Sequence, residues 1–398
     1  GWHLNGNTGT DPATNFIGTI DNKDFVIRTN NLERLRILAN GKVGIGIAAP
    51  TASLQLNGND GFLATGTYGT GTPQSLGAGT RMHWYPVKSA FRIGTVTSNQ
   101  WDDAKIGIYS LAGGYNTVAS APYATSFGNL CSSSGSYSVS MGYACLSYGT
   151  AAVAMGNASE ARGHFSVAFG RGNIASDSGS VAIGYHSSAS GKYATAFGVS
   201  TIASGEYSVT MGSYADANFK KGSFVFADAS SSNPTYSTAN NQFVARASGG
   251  TIFYSSADML AGVTLPAGGG SWSSLSDKNR KENFETIDLE KILQGIDNIQ
   301  VSKWNYKTQP ASIKHIGPMA QDLYRQFGFG EGETTITSVD MDGINLAALK
   351  ALALKTKALQ ENVDEIIRLK SKIEMLEKEK KLLEKRIEKI EHTVSLNK

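Results

Sequence analysis

YSVSMGYACLSYGTAAVAMGNASEARGHFSVAFGRGNIASDSGSVAIGYHSSASGKYATAFG, residues 137–198, repeats every fourteen residues without insertion. The register extends over residues 109–220. The sixth position of its eight consecutive units is always glycine: Gly114, Gly128, Gly142, Gly156, Gly170, Gly184, Gly198 and Gly212. A second glycine recurs at the thirteenth position (Gly135, Gly149, Gly163, Gly191, Gly205), with Asp177 as the exception in mid-array. A fixed period punctuated by glycine marks a stacked solenoid rather than an enzyme core. The third and fifth positions are large or branched, as in Val139 and Met141 or Val167 and Phe169. That alternation before a glycine predicts a short strand with one buried face, ending in a turn that needs a permissive backbone. Small residues at the eleventh position (Ala161, Ala175, Ala189, Ala203, Ala217) predict a second, weaker strand.

Each coil is therefore expected to hold two short strands and two turns, and eight coils rising about 4.8 Å each give a rod of about 40 Å. A fourteen-residue coil encloses little volume, so one such roll is too thin to stand alone. It is expected to bury a further face against copies of itself in a symmetric homo-oligomer. Units such as SVAIGYHSSASGKYATAFG, residues 180–198, resemble the head repeats of trimeric autotransporter adhesins. The resemblance covers roughly residues 109–220 and implies a left-handed parallel β-roll in a homotrimer, a fibre head used for attachment.

Composition narrows the remaining classes. The chain has 398 residues, a length for two or three domains, with 45 glycines, 17% charged residues and a net charge of +3. No basic patch with interleaved aromatics is present, so no nucleic-acid partner is expected. No apolar run is long enough to span a bilayer and no signal peptide is visible, so no membrane insertion is expected in this segment. The chain starts at Gly1 rather than Met, which leaves room for an upstream part. The six histidines are scattered without ligand spacing, so neither a metal nor another cofactor is expected. Cys131 and Cys145 both fall at the ninth position of neighbouring coils, within disulfide reach. They read first as two small buried side chains in equivalent slots, and whether they pair stays open.

Upstream of the array, LERLRILANGKVGIG (residues 32–46) alternates Leu35 and Ile37 with Arg34 and Arg36, then turns at Asn40 and Gly41 into Val43 and Ile45. Asn-Gly between alternating runs is a hairpin signal. GKVGIGIAAPTASLQL, residues 41–56, also resembles a β-motif of phage tail fibres and related bacterial surface fibres, which usually has threonine where this chain has Ile47. Residues 1–60 are thus read as an N-terminal β shaft module, and residues 61–108 as a Gly- and aromatic-rich β connector. The glycines of GTYGTGTP in that connector lack the lysine and helix of a phosphate loop, and read as β-turns. Asp102 and Asp103 are the adjacent acids nearest the aromatic cluster; neighbours on a strand point apart, so they read as an exposed loop rather than a sugar-hydrolysing pair. Residues 221–273 form a second β connector.

From residue 274 the composition changes. SDKNRKENF (276–284), a helix around residues 289–296, SKWNYK (302–307), HIGPMAQDL (315–323) and DMDGINLAALKAL (340–352) follow in order. A further helix is expected over residues 319–327, after Pro318 and before Gly328; Gln321 and Asp322 on it read as structural. The succession looks like the C-terminal intramolecular chaperone domain of endosialidases and many phage tailspikes and fibres, an autoproteolytic family. Carried over, that resemblance implies a catalytic dyad of Ser276 and Lys281 and a cut between Leu275 and Ser276. One departure is Asn279, where the family often has arginine; here Arg280 follows it. The chaperone and autoprotease domain is placed at residues 274–342.

Residues 343–398 lose their glycines early and read as the coiled coil of the chaperone. Leu352, Leu359, Ile366, Ile373, Ile387 and Val394 recur at sevens, with Lys380 the polar intruder, and Leu369, Leu376, Leu383 and Ile390 fill the other seam position. Ile at one seam position with Leu at the other favours two strands by the simplest rule; both resemblances imply three. The expected fold is mainly β: a trimeric parallel β-roll with β-rich shaft modules, then a small α+β chaperone domain and a coiled coil. The expected function is a homotrimeric extracellular fibre or adhesin segment, from a phage tail, an injection device or a bacterial surface. It would attach to a host glycan or protein receptor and carry a self-cleaving chaperone. The alternatives are a glycan-degrading tailspike with the same chaperone and a bacterial adhesin whose chaperone stays uncut.

Overall fold

The computed structural model describes residues 1–3 and 5–396. The chain divides into two units, Gly1–Ser248 and Gly249–Lys398. Within the first, every coil of the array contributes a five-residue strand, such as Val139–Tyr143 or Val153–Asn157, and a two-residue strand, such as Leu146–Ser147 or Glu160–Ala161. Neighbours are parallel and pair at the repeat offset, Val139 with Val153 and Gly142 with Gly156. The result is a β-solenoid whose two walls are a 12-stranded and a 9-stranded sheet. The longer wall runs past the fixed-period array. Ala90–Val96 pairs parallel with Leu111–Tyr115 and antiparallel with Gly79–Tyr85, and Phe224–Ala227 and Phe243–Arg246 follow at the other end.

The interior of the coil is lined by small side chains from the fourth and eleventh positions. Ala154, Ala168, Ala182 and Ala196 from one wall meet Ala161, Ala175, Ala189 and Ala203 from the other, all fully buried. The face carrying the third and fifth positions looks away from the coil interior, toward where a further copy would cover it. Phe169 keeps 52% and Phe197 49% of its surface exposed, and Met141 and Met211 are exposed beside them in the same row. Successive side chains on a strand point to opposite faces. Two walls joined by fourteen residues stand too close for Val, Met or Phe to fit between them, so the small face goes in.

Close stacking also explains the glycines. Gly156 has φ +110°, and a Cβ there would run into the carbonyl oxygen of Gly170 on the next coil. Two further positions adopt the left-handed region without being glycine in most coils: the first (Tyr137 φ 61°, Ala151 φ 53°) and the eighth (Ala144 φ 52°, Ala158 φ 51°). Their amides reach back one coil, Ala151 N to Ser136 O and Ala158 N to Tyr143 O, both at 2.8 Å. First-position rings stack along the rod, Tyr109 on Tyr123 at 5.1 Å and Tyr123 on Tyr137 at 4.7 Å.

Arginines close both ends of the solenoid. Arg92 is fully buried. It donates to the carbonyls of Phe91, Ser110 and Ala119 and to Ser110 Oγ, and burial pulls its guanidinium down to about 10, still charged at neutral pH. At the far end Arg246 pairs with Asp228 at 3.1 Å and donates to the carbonyls of Ser213, Asp228, Ser231 and Asn233. Asp102 and Asp103 are not an exposed loop. Asp102 Oδ1 accepts from Gly77 N at 2.8 Å, and Asp103 accepts from the Tyr85 hydroxyl at 2.6 Å and pairs with Lys88 at 3.1 Å. The Tyr85 bond, followed by Lys88, holds the Asp103 carboxyl below its ordinary range. Upstream, Phe25–Thr29, Leu32–Ile37 and Val43–Ile45 form an antiparallel meander, with Ile37 opposite Val43 across the Asn40-Gly41 turn.

The second unit begins with an antiparallel sheet of Gly250–Tyr254, Gly262–Pro266 and Ser273–Ser274. Helix α1, Leu289–Asn298, is N-capped by Asp288, which accepts from the amides of Glu290 and Lys291. Helix α2, Ala320–Phe327, ends at Gly328 with φ 69°. Helix α3, Ser338–Leu396, has 59 residues, a length of about 88 Å. Ile292 of α1, Leu323 of α2 and Ile344 of α3 form a small core with Phe327 at its edge. Beyond that base every described side chain of α3 from residue 352 to 395 is exposed, the heptad seam included.

Candidate functional site

Two features of the chain are candidates for chemistry or recognition: the outward apolar row of the solenoid and the junction around residue 276. At the junction, Ser273–Ser274 adds to the edge of Gly262–Pro266, and Leu275 N donates to Gly262 O at 3.2 Å. Asp277 Oδ1 then accepts from Asn279 N at 2.9 Å and starts one turn of 3₁₀ helix, Lys278–Arg280. The turn closes with Lys281 N on Lys278 O at 3.2 Å. Its effect is to fold the chain back, and Lys281 Nζ lies 2.6 Å from Ser276 Oγ. Arg280 Nη1 reaches Leu260 O at 3.2 Å.

A lysine and a serine at this distance can exchange a proton. As an ammonium, Lys281 donates to Oγ; as a neutral amine it can accept the hydroxyl proton and make Oγ a nucleophile. Among the described residues no carboxylate pairs with Lys281. Both Ser276 and Lys281 are exposed in the single chain. The sequence reading named Leu275, Ser276 and Lys281 and had no role for Asp277. The signal was present, since an aspartate two residues before a following amide in a polar stretch forms a local turn.

Elsewhere the singled-out residues make ordinary local contacts. Cys131 and Cys145 are buried free thiols, with Cys131 Sγ on Gly142 O at 3.2 Å; its bond to the neighbouring thiol, followed by burial, pushes the Cys131 thiol up. Asp322 pairs with Arg325 on α2 at 2.8 Å. Among the described residues no group of His, Cys, Asp or Glu is placed to hold a metal ion, and no helix is long and apolar enough to cross a membrane.

Comparison with known families adds two findings. The YadA head domain repeat (2 copies) matches residues 106–130, 147–173, 161–187 and 189–215. The chaperone of endosialidase family matches residues 276–328. Together with the solenoid, these matches fit a tail fibre or adhesin with a C-terminal chaperone. No curated protein matches the chain. The chaperone match opens at Ser276, includes Lys281 and Asn279, and ends at Gly328, the C-cap of α2. The heptads of α3 lie outside it. The head matches fall on the stretch where strands pair at the fourteen-residue offset, so the similarity and the geometry describe the same coils.

Proposed function

We propose that the chain is a homotrimeric fibre or adhesin segment that attaches an extracellular particle or cell to a host surface, and that its C-terminal unit drives trimer assembly and then cuts itself free. The observation that carries this reading is a mismatch within one chain. The solenoid hides small side chains and presents large apolar ones, and α3 presents an uncovered heptad seam. Both are surfaces that copies of the same chain would cover, and head repeats of this type are typical of trimeric adhesins.

The self-cleavage step follows from the junction. Ser276 Oγ attacks the carbonyl carbon of Leu275 while neutral Lys281 takes the hydroxyl proton and passes it to the Ser276 nitrogen as the C–N bond breaks. The ester so formed is hydrolysed by water, leaving a carboxylate on Leu275 and a free amine and hydroxyl on Ser276. A neutral lysine near pH 7 requires burial. In the single chain the pair is exposed, so assembly is the event that would supply that burial. Cutting between Leu275 and Ser276 separates the solenoid from α3, and loss of that link makes fibre unfolding irreversible.

The test is a denaturing gel of the expressed trimer beside Ser276→Ala. Cleavage yields an upstream piece ending at Leu275 and a downstream piece starting at Ser276, whereas the variant gives a single 42.2 kDa band. A trimeric parent that stays whole overturns the self-cleavage reading and leaves assembly standing. A monomeric parent overturns the assembly reading.

A further inference from the structure

We infer that Asp277 is a positioning residue for the self-cleavage step, acting through the turn it caps; the inference rests on the Ser276 and Lys281 reading above. Five residues of extended chain would carry Lys281 about 16 Å from Ser276. The observed approach of 2.6 Å needs the chain to reverse within residues 277–281. Local contacts make that reversal, and one longer-range bond, Arg280 Nη1 to Leu260 O at 3.2 Å, anchors the turn to the preceding loop. Asp277 Oδ1 takes the Asn279 amide at 2.9 Å, Asp277 O takes the Arg280 amide at 3.1 Å, and Lys278 O takes the Lys281 amide at 3.2 Å.

These bonds differ in what replaces them. The two backbone bonds exist only once the turn has formed, and a single isolated turn is not self-sustaining. The side-chain oxygen of Asp277 is the contact that biases the chain toward the turn before it closes, as a capping side chain does at a helix start. No apolar packing helps, because residues 276–283 are all exposed. The geometry therefore assigns to one carboxylate oxygen the alignment of the Ser276 hydroxyl with its base. Reaction rates fall steeply when a base and its nucleophile lose that alignment.

The role is one of hydrogen-bond acceptance rather than charge, and this separates it from an acid–base role. Asp277→Asn keeps the Oδ1 acceptor and loses the charge; Asp277→Ala loses both. Cleavage is followed as a first-order rate on the assembled fraction, isolated by size, of the full chain and each variant. Asp277→Ala is expected to cut about five- to tenfold more slowly, the rate equivalent of losing one cap. Asp277→Asn is expected to cut within about twofold of the parent, with the pH profile of cleavage unmoved because the titrating base is unchanged. Asp277→Ala at the parental rate overturns the inference. Asp277→Asn as slow as Asp277→Ala also overturns it, by showing that the charge matters. An uncut parent overturns the dyad reading itself and the inference with it, an outcome distinct from a cut parent with an indifferent Asp277.

Discussion

The solenoid and helix α3 are both periodic, and they use their periods in opposite ways. The fourteen-residue period organises contacts inside one chain: each strand pairs in register with its neighbour, and a core of Ala154, Ala161, Ala168 and Ala175 is fully buried without help from another copy. The seven-residue period of α3 organises nothing inside the chain, since from residue 352 to 395 every described side chain is exposed. One repeat makes local structure and leaves an apolar row over; the other is all surplus surface. A long exposed heptad helix draws its stability from partners. Under the proposed function, the helix is the part that brings chains together and the solenoid the part that remains.

The largest effect expected from this division is on assembly. Ile373→Asp combined with Leu376→Asp places charge at both seam positions of α3, where truncation of a buried aliphatic costs about 2–5 kcal/mol per chain and a buried unpaired carboxylate costs more. Sedimentation is expected to show monomers in place of oligomers. If these variants assemble as the parent does, the solenoid's outward row is sufficient alone and the division fails.

A second effect should appear inside the solenoid and leave α3 untouched. Gly156→Ala puts a Cβ at φ +110° against the Gly170 carbonyl. Strain at such a backbone together with overpacking costs roughly 2–4 kcal/mol. Hydrogen exchange is expected to quicken in the coils on either side of Gly156 while the amides of α3 keep their protection. Uniform loosening of both regions would mean that they are one cooperative unit.

How much of this was legible in the sequence depended on where the controlling contacts lie. The period itself, the glycines, the Asn40-Gly41 hairpin, the Pro318 to Gly328 helix and the heptads are patterns along the chain, and each reads directly. Which strand face lines the coil is not decided by the alternation alone: Val139 and Met141 are the conspicuous residues, whereas the deciding quantity is the gap between two walls, which no residue states. The left-handed corners were invisible for a related reason. Tyr137, Ala144 and Ala151 have no turn preference, and their φ values are imposed by coil closure and by amide bonds one coil back. At the junction, Ser276 and Lys281 were nameable only through a family resemblance, since their approach depends on the turn and the turn depends on Asp277.

The smallest predicted effect inverts the second. Ala151 sits five residues before Gly156, also at positive φ, but at 53° and at a corner where the equivalent residue one period earlier is Tyr137 and two periods later is Gly179. The left-handed region costs a residue with a Cβ about 1–2 kcal/mol, which Gly avoids. Gly also adds unfolded-state entropy worth about 0.4–1 kcal/mol against folding. Ala151→Gly should therefore stabilise the coil, by at most about 1.6 kcal/mol, with a small rise in the midpoint of solenoid unfolding. The same pair of residues exchanged in opposite directions would then give opposite signs within one coil. A loss of stability in both variants would show that the corner is held by the Cβ packing of Ala151, so that coil closure selects side chains there as well as backbone angles.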